Sequence, residues 1–171
     1  MIVYIHSHEI PDRGITFGRH AGVRDVVHII VPDQTSVEGI VVLVGAQVRN
    51  CGSIWKLIFN GHGDRARTGG IYFGDWIFAS DVVRFSPLRA FMNAAGRGIE
   101  MHSCRTGSSE AMVVNLARTF GVRVVAGVEN QLGPNLIPFT ETISPIGGDH
   151  FGVIEGQTVI ASPDGNVFYS Q

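Results

Sequence analysis

Five short, mostly apolar runs restrict the fold of this sequence more than any other feature. Each is rich in β-branched or other apolar residues and ends near glycine, proline or a polar residue. Such runs are typical of strands that are buried on both faces of a parallel sheet. The runs are Ile2–Ile5, Val26–Val31, Ile54–Phe59, Gly98–His102 and Val122–Val128.

Helical patterns lie between several of these runs, at residues 36–48, 86–95 and 108–120. Ser followed by Pro at 86–87 fits a capping residue and the first position of a helix. Two hairpins are predicted, at Gly69–Phe78 and Gln157–Tyr169. Alternating strands and helices predict an α/β fold, with a mainly parallel sheet flanked by helices on both faces and a C-terminal β-hairpin.

Composition indicates a single globular domain over residues 1–171. The chain is 44% hydrophobic and 16% charged, with a net charge of -2, so nothing favours nucleic-acid binding. No signal peptide is visible, and the apolar runs are too short to cross a membrane. The two cysteines, Cys51 and Cys104, are too few for a disulfide framework. We therefore expect a cytoplasmic protein in a reducing compartment.

Two of the runs end in residues that can carry chemistry. One ends in Asn60-Gly61-His62-Gly63, and the other in Ser103-Cys104 just before a predicted helix. If the two strands are parallel neighbours, His62 and Cys104 face each other at the carboxyl edge of the sheet, where ligands bind in α/β folds. The nearby helix N-terminus favours a thiolate. The alternative is a buried structural thiol beside a loop histidine.

The order of these motifs resembles the caspase-like cysteine peptidases, with the bacterial CHAT-type and the gingipain- and caspase-related members nearest. The matching pieces are residues 57–63, ending in His-Gly, and residues 99–107, holding Ser-Cys and Thr-Gly. The resemblance covers about residues 54 to 128. It implies that Cys104 is the nucleophile and His62 the general base. It also implies an oxyanion hole formed by the backbone N–H groups of Gly63 and Cys104.

The same resemblance implies a protein or peptide substrate and no cofactor. Asp75 and Ser103 are the expected substrate-binding residues. Because acids select arginine in some relatives, and because Asp75 lies between the two motifs, we predict a preference for a basic residue before the scissile bond.

Two other functions stay open from the sequence. His6, His8, His62 and His102 could bind zinc in a metal-dependent hydrolase, although their spacing fits no standard zinc pattern. Alternatively, the chain is a catalytically inactive caspase-like domain that binds a partner.

Overall fold

A computed structural model shows the architecture of the chain. Most of residues 9–22 and 129–156, for which the sequence predicts no strand or helix, and Cys51 lie outside the residues that it describes. Those described residues are 1–9, 25–49, 52–63, 69–129 and 157–170.

The described chain forms a seven-stranded sheet and a separate three-stranded sheet. The strands are β1 (Ile2–Ser7), β2 (Val26–Val31), β3 (Lys56–Asn60), β4 (His62–Gly63), β5 (Ile71–Tyr72), β6 (Trp76–Ile77), β7 (Gly98–His102), β8 (Val124–Gly127), β9 (Thr158–Ala161) and β10 (Val167–Ser170). The large sheet has the order β10-β9-β8-β7-β3-β1-β2, and the small sheet has the order β4-β5-β6.

Five adjacent strands of the large sheet are parallel, namely β8, β7, β3, β1 and β2. Next to β8, the strands β9 and β10 add an antiparallel hairpin. The prediction of an α/β fold with a mainly parallel sheet and a C-terminal hairpin is therefore confirmed. The run predicted from Ile54 begins as a strand only at Lys56, because Ile54 forms an isolated bridge with Met92 instead.

The helices predicted at 36–48 and 108–120 are present, and each begins after a serine whose hydroxyl caps it. Helix α1 (Val37–Val48) begins after Ser36, whose hydroxyl accepts the backbone N–H of Gly39. Helix α2 (Glu110–Phe120) begins after Ser109 and ends at Gly121, which has a left-handed backbone (φ 69°). Neither helix is long and apolar enough to cross a membrane.

The helix predicted at 86–95 is wrong in both position and type. The chain forms a 3₁₀ helix at Val82–Phe91, with Pro87 inside it. Its buried residues, Val82, Phe85 and Leu88, recur at every third position, which is the repeat of a 3₁₀ helix and not of an α-helix. Packing of this three-residue repeat therefore outweighed the local Ser-Pro start signal.

The helices and one face of the sheet share the main core. Both α-helices contact the 3₁₀ helix, and the buried residues of all three join one cluster with alternate strand residues such as Val3, Leu57 and Met101. Within the described ranges, the helices thus lie on one face of the sheet. Helices on the second face stay a prediction.

Candidate active site

The two chemistry-bearing runs are adjacent parallel strands. In the pairing of β3 with β7, Asn60 lies opposite His102. His62 and Cys104 each follow two residues later, so both leave the sheet at the same carboxyl edge. The placement that the sequence predicted for these two residues is thus observed at the level of the backbone.

Gly63 lies directly against the backbone of Cys104. A Cβ atom built on Gly63 would be 2.6 Å from the Cys104 nitrogen and closer still to the Cys104 carbonyl oxygen. Real Cβ atoms do not approach backbone so closely, so only glycine fits here. The contact brings together the two backbone segments expected to form an oxyanion hole.

The turn after Cys104 has an unusual backbone. Arg105 adopts the left-handed conformation (φ 56°, ψ 12°), which costs a residue with a side chain about 1 kcal/mol or more. The turn is held by the Arg105 N–H, which donates to the Glu129 carbonyl at 2.8 Å, and by the Ser108 N–H, which donates to the Arg105 carbonyl at 2.9 Å. The neighbouring structure thus imposes a strained turn beside the thiol.

Ser103 is part of this support. It is buried, and its hydroxyl is hydrogen-bonded to the hydroxyl of the fully buried Thr106. This bond ties the residue before Cys104 to the 3₁₀ turn Thr106–Ser108 that precedes α2. The Ser103 side chain therefore stabilises the turn. Direct substrate binding, which is the role expected from the sequence, stays a prediction.

Cys104 and His62 both reach the protein surface. Cys104 is of intermediate burial, and His62 is exposed. His62 lies on β4, opposite Tyr72 of β5. Strand β4 begins with His62, two residues after the last residue of β3. The main sheet therefore determines where the backbone of His62 lies.

Asp75 lies at the far end of the small hairpin. Its carboxylate accepts the backbone N–H of Trp76 at 2.8 Å, and its side chain is exposed. The preceding Gly74 packs against Asp33 and Gln34, which follow the edge strand β2. The structure therefore places Asp75 towards the β2 side of the sheet, beyond Tyr72, which lies opposite His62.

Acidic groups surround the tyrosine that pairs with His62. Desolvation, followed by the charges of Glu9, Asp33 and Asp75, raises the pKa of Tyr72. The ring of Tyr72 also lies 5.3 Å from that of Trp76, which is partly exposed. Three acidic groups and two aromatic rings therefore lie on this side of the site.

A buried charged cluster lies on β3 and on β7, the strand that precedes the Cys104 turn. Lys56 Nζ is 2.6 Å from Glu100 Oε1, and the two side chains are 0% and 6% exposed. The other carboxylate oxygen, Oε2, is 3.2 Å from Nε2 of His102, whose side chain is 13% exposed. The carboxylate thus links the lysine to a histidine that lies two residues before the thiol.

A second polar group continues along the same face. Asn60 Nδ2 donates to His6 Nδ1 at 3.1 Å, and His6 Nε2 is 2.9 Å from His28 Nδ1. Tyr4 stacks on His28 with a centroid separation of 4.8 Å. Both ring nitrogens of His6 are engaged in these hydrogen bonds, whereas a histidine that binds a metal needs one nitrogen for the metal.

The four histidines considered as zinc ligands are not gathered into one site. His6 is fully buried in β1, whereas His62 is exposed on β4. Within residues 1–9, 25–49, 52–63, 69–129 and 157–170, no group of three or more His, Cys, Asp or Glu side chains is placed to hold a metal ion. The arrangement therefore gives the metal-dependent hydrolase no support.

The cluster of Lys56, Glu100 and His102 was not predicted from the sequence. A signal was present: Lys56 is the single lysine of the chain, and Lys56 and Glu100 are charged residues inside apolar runs. Charged residues are rarely buried unless they are paired.

Comparison with known proteins adds no assignment. Neither protein-family models, nor curated proteins, nor solved structures give a significant match to this chain.

Proposed function

We propose that this chain is a caspase-like cysteine endopeptidase domain that acts through Cys104 and His62. The observation that carries the proposal is the contact of Gly63 with the Cys104 backbone, at the shared carboxyl edge of β3 and β7. A nucleophile and a base on neighbouring strand ends can meet around one bound carbonyl group, because adjacent strands are about 4.8 Å apart.

The proposed reaction has two halves. His62 takes the thiol proton, the Cys104 sulfur attacks the peptide carbonyl carbon, and the C–N bond breaks as the amine leaves with that proton. Water then attacks the thioester, with His62 accepting one of its protons. The C–S bond breaks, the carboxylic acid leaves, and the proton returns to the thiolate.

Backbone N–H groups are proposed to stabilise the negative charge that develops on the carbonyl oxygen of the substrate. The N–H groups of Gly63 and Cys104 are the proposed donors to the oxyanion of the tetrahedral intermediate, and their backbones are in contact. The N-terminus of α2 begins shortly after Cys104, and its partial positive charge favours the thiolate.

For substrate selection we propose a basic side chain before the scissile bond. The support is the negative charge of Asp75, Asp33 and Glu9 around Tyr72, which lies opposite His62. A guanidinium group pairs well with carboxylates and stacks on aromatic rings. Asp75 is proposed to contact the basic side chain of the substrate. Ser103 is proposed to act indirectly, because its hydrogen bond to Thr106 supports the turn that contains Cys104.

Peptide turnover tests the proposal. The purified chain is incubated with a mixed peptide library, and cleavage is followed by mass spectrometry for the wild type, Cys104→Ala and His62→Ala. We expect cleavage by the wild type only, with folded variants by circular dichroism. Undiminished cleavage by Cys104→Ala would overturn the mechanism, and absence of cleavage by the wild type would favour a binding domain.

A further inference from the structure

The small sheet β4-β5-β6 has one face towards the core and one towards solvent. Directly paired residues of antiparallel strands share a face, and the faces alternate along each strand. The inner row of paired residues is Gly63, Ile71 and Ile77, and both isoleucines are buried in the main core. The outer row is His62, Tyr72 and Trp76. The proposed catalytic histidine therefore shares a face with two aromatic residues.

The rings on this outer face form one group. The centroids of Tyr72 and Trp76 are 5.3 Å apart, and those of Trp76 and Phe78 are 6.3 Å apart. Trp76 and Phe78 are 40% and 41% exposed, although burial of such rings is strongly favourable. Contiguous exposed apolar surface marks interaction sites in many proteins. We call Tyr72, Trp76 and Phe78 the aromatic face.

Close backbone contacts hold the small sheet against the rest of the protein. Gly63 packs against the backbone of Cys104, and Gly69 packs against Ser109, the residue that caps α2. Both contacts are too close for an added Cβ atom. The aromatic face is therefore fixed in place, and a preformed surface loses less entropy when it binds a ligand.

The strand order places the aromatic face beyond His62 as seen from Cys104. Strand β4 carries both His62 and Gly63, which contacts the Cys104 backbone, and β5 and β6 follow it in the sheet. In the proposed reaction the acyl part of the substrate stays on Cys104, and the leaving amine takes its proton from His62. The substrate residues after the scissile bond therefore begin beside His62, at the near end of the aromatic face.

The spacing of the strands determines which substrate residue reaches the rings. Adjacent strands are about 4.8 Å apart, so Tyr72 and Trp76 lie about 5 and about 10 Å beyond His62, and an extended peptide advances about 3.3 Å per residue. We propose that the aromatic face binds a large apolar side chain at the second or third residue after the scissile bond, with Trp76 as the main contact. This inference rests on the proposed function and adds a subsite on the amine side of the bond.

Asp75 lies at a different end of the hairpin from much of this surface. It directly precedes Trp76 at the turn between β5 and β6, whereas Phe78 follows the far end of β6. An apolar side chain over Trp76 and Phe78 therefore leaves Asp75 accessible to a basic residue before the bond. Because a guanidinium group can also stack on aromatic rings, arginine is the competing residue in the test.

The experiment compares one peptide in three forms, with Phe, Arg or Gly at the second and third positions after the bond. The parent peptide is one that the wild type cleaves or, where none is cleaved, one that Cys104→Ala retains from the library. The variants are Trp76→Ala and Phe78→Ala. Phe168→Ala is the matched control, because Phe168 is an exposed ring on β10, outside the small sheet. Circular dichroism checks that each variant is folded.

We expect the wild type to cleave the Phe peptide with a kcat/KM about tenfold higher than the Gly peptide. Trp76→Ala should bring this ratio close to one, Phe78→Ala should reduce it, and Phe168→Ala should leave it unchanged. A variant that is merely destabilised lowers both rates together and keeps the ratio. The same ratio in Trp76→Ala and the wild type overturns the proposal, and so does a wild type that prefers Arg or Gly at these positions.

A binding measurement separates this inference from the peptidase function. The dissociation constants of the Phe and Gly peptides, each with a fluorescent label, are measured by anisotropy with Cys104→Ala and with Cys104→Ala/Trp76→Ala. If Trp76 favours binding of the Phe peptide while the wild type cleaves nothing, the apolar binding surface stands and the peptidase function falls. If peptides are cleaved through Cys104 and His62 with no preference for Phe, the peptidase function stands and this inference falls.

Discussion

The Gly63 Cα lies so close to the Cys104 backbone that a Cβ at position 63 would be 2.6 Å from the Cys104 nitrogen. Gly63→Ala should therefore push β4 away from the Cys104 turn. We expect a loss of about 2–3 kcal/mol in the free energy of unfolding, which is typical of overpacking against atoms that cannot move aside. Urea unfolding followed by circular dichroism measures it.

Gly45→Ala is the matched control for this substitution. Gly45 lies inside α1, and an added Cβ would meet only Phe91 at 4.0 Å, which is ordinary contact. Alanine in a helix is favoured over glycine by about 0.5–1 kcal/mol, so this variant should be at least as stable as the wild type. Equal stability of the two variants would contradict the close contact at Gly63.

Cys104 should be the reactive thiol and Cys51 should not. Cys104 lies in the turn between β7 and α2, where the residue is partly exposed and its neighbour Arg105 has a left-handed backbone. Brief iodoacetamide treatment near pH 7, followed by peptide mass mapping, should find the label mainly on Cys104. Faster labelling of Cys51 would be incompatible with this assignment.

The sequence was sufficient to place His62 and Cys104 at one edge, because continuous apolar runs identify buried parallel strands and the carboxyl ends of such strands coincide. It was not sufficient for the cluster of Lys56, Glu100 and His102. That cluster depends on the pairing of β3 with β7, where Ile58 lies opposite Glu100, and the sequence alone does not determine this register.

The 3₁₀ helix at Val82–Phe91 was likewise missed. The Ser-Pro signal indicates a later start, and the burial of every third residue becomes visible only in the packed structure.

Lys56→Met should destabilise the protein strongly. The substitution leaves the carboxylate of Glu100 buried without the lysine charge that lies 2.6 Å from it. Removing one member of a buried ion pair typically costs about 3–5 kcal/mol. Thermal and urea unfolding measure the loss.

The double variant Lys56→Met/Glu100→Gln tests the coupling between the two charges. Because it removes both members of the pair, we expect it to be less destabilised than the sum of the two single variants. Simple additivity of the three unfolding free energies would argue against a coupled pair.

Stability at acidic pH should depend on Glu38. Arg84 Nε donates to Glu38 Oε1 at 2.6 Å, and hydrogen bonding to Arg84 is the largest of the causes that lower the pKa of Glu38 from 4.5 to about 2. The folded pKa is below the unfolded value, so the stabilisation is complete above about pH 4.5 and is lost as the pH falls towards 2. Because both side chains are exposed, the effect should be small.

Glu38→Gln removes the titrating group and should flatten this part of the pH dependence. The measurement is the urea midpoint at about pH 7, 4 and 2.5 for the wild type and the variant. The two proteins should converge at the lowest pH. A constant difference between them at all three values would show that Arg84 does not shift the ionisation of Glu38.

A basic preference should be visible in the cleavage products of a peptide library. Negative charge around Tyr72 favours Lys or Arg before the scissile bond, and Asp75→Asn should reduce that preference. Sequencing the product termini by mass spectrometry measures it. Products that end mainly in acidic or apolar residues would contradict the prediction.

The proposed function depends above all on a thioester between Cys104 and the substrate, and trapping this intermediate is its sharpest test. The chain is mixed with cleavable peptides, quenched in acid within milliseconds to seconds, and analysed by intact mass and peptide mapping. We predict a mass increase equal to the N-terminal cleavage product minus one water molecule, located on Cys104 and absent from Cys104→Ala. Cleavage that continues with no adduct on Cys104, or an adduct that persists in Cys104→Ala, would contradict it.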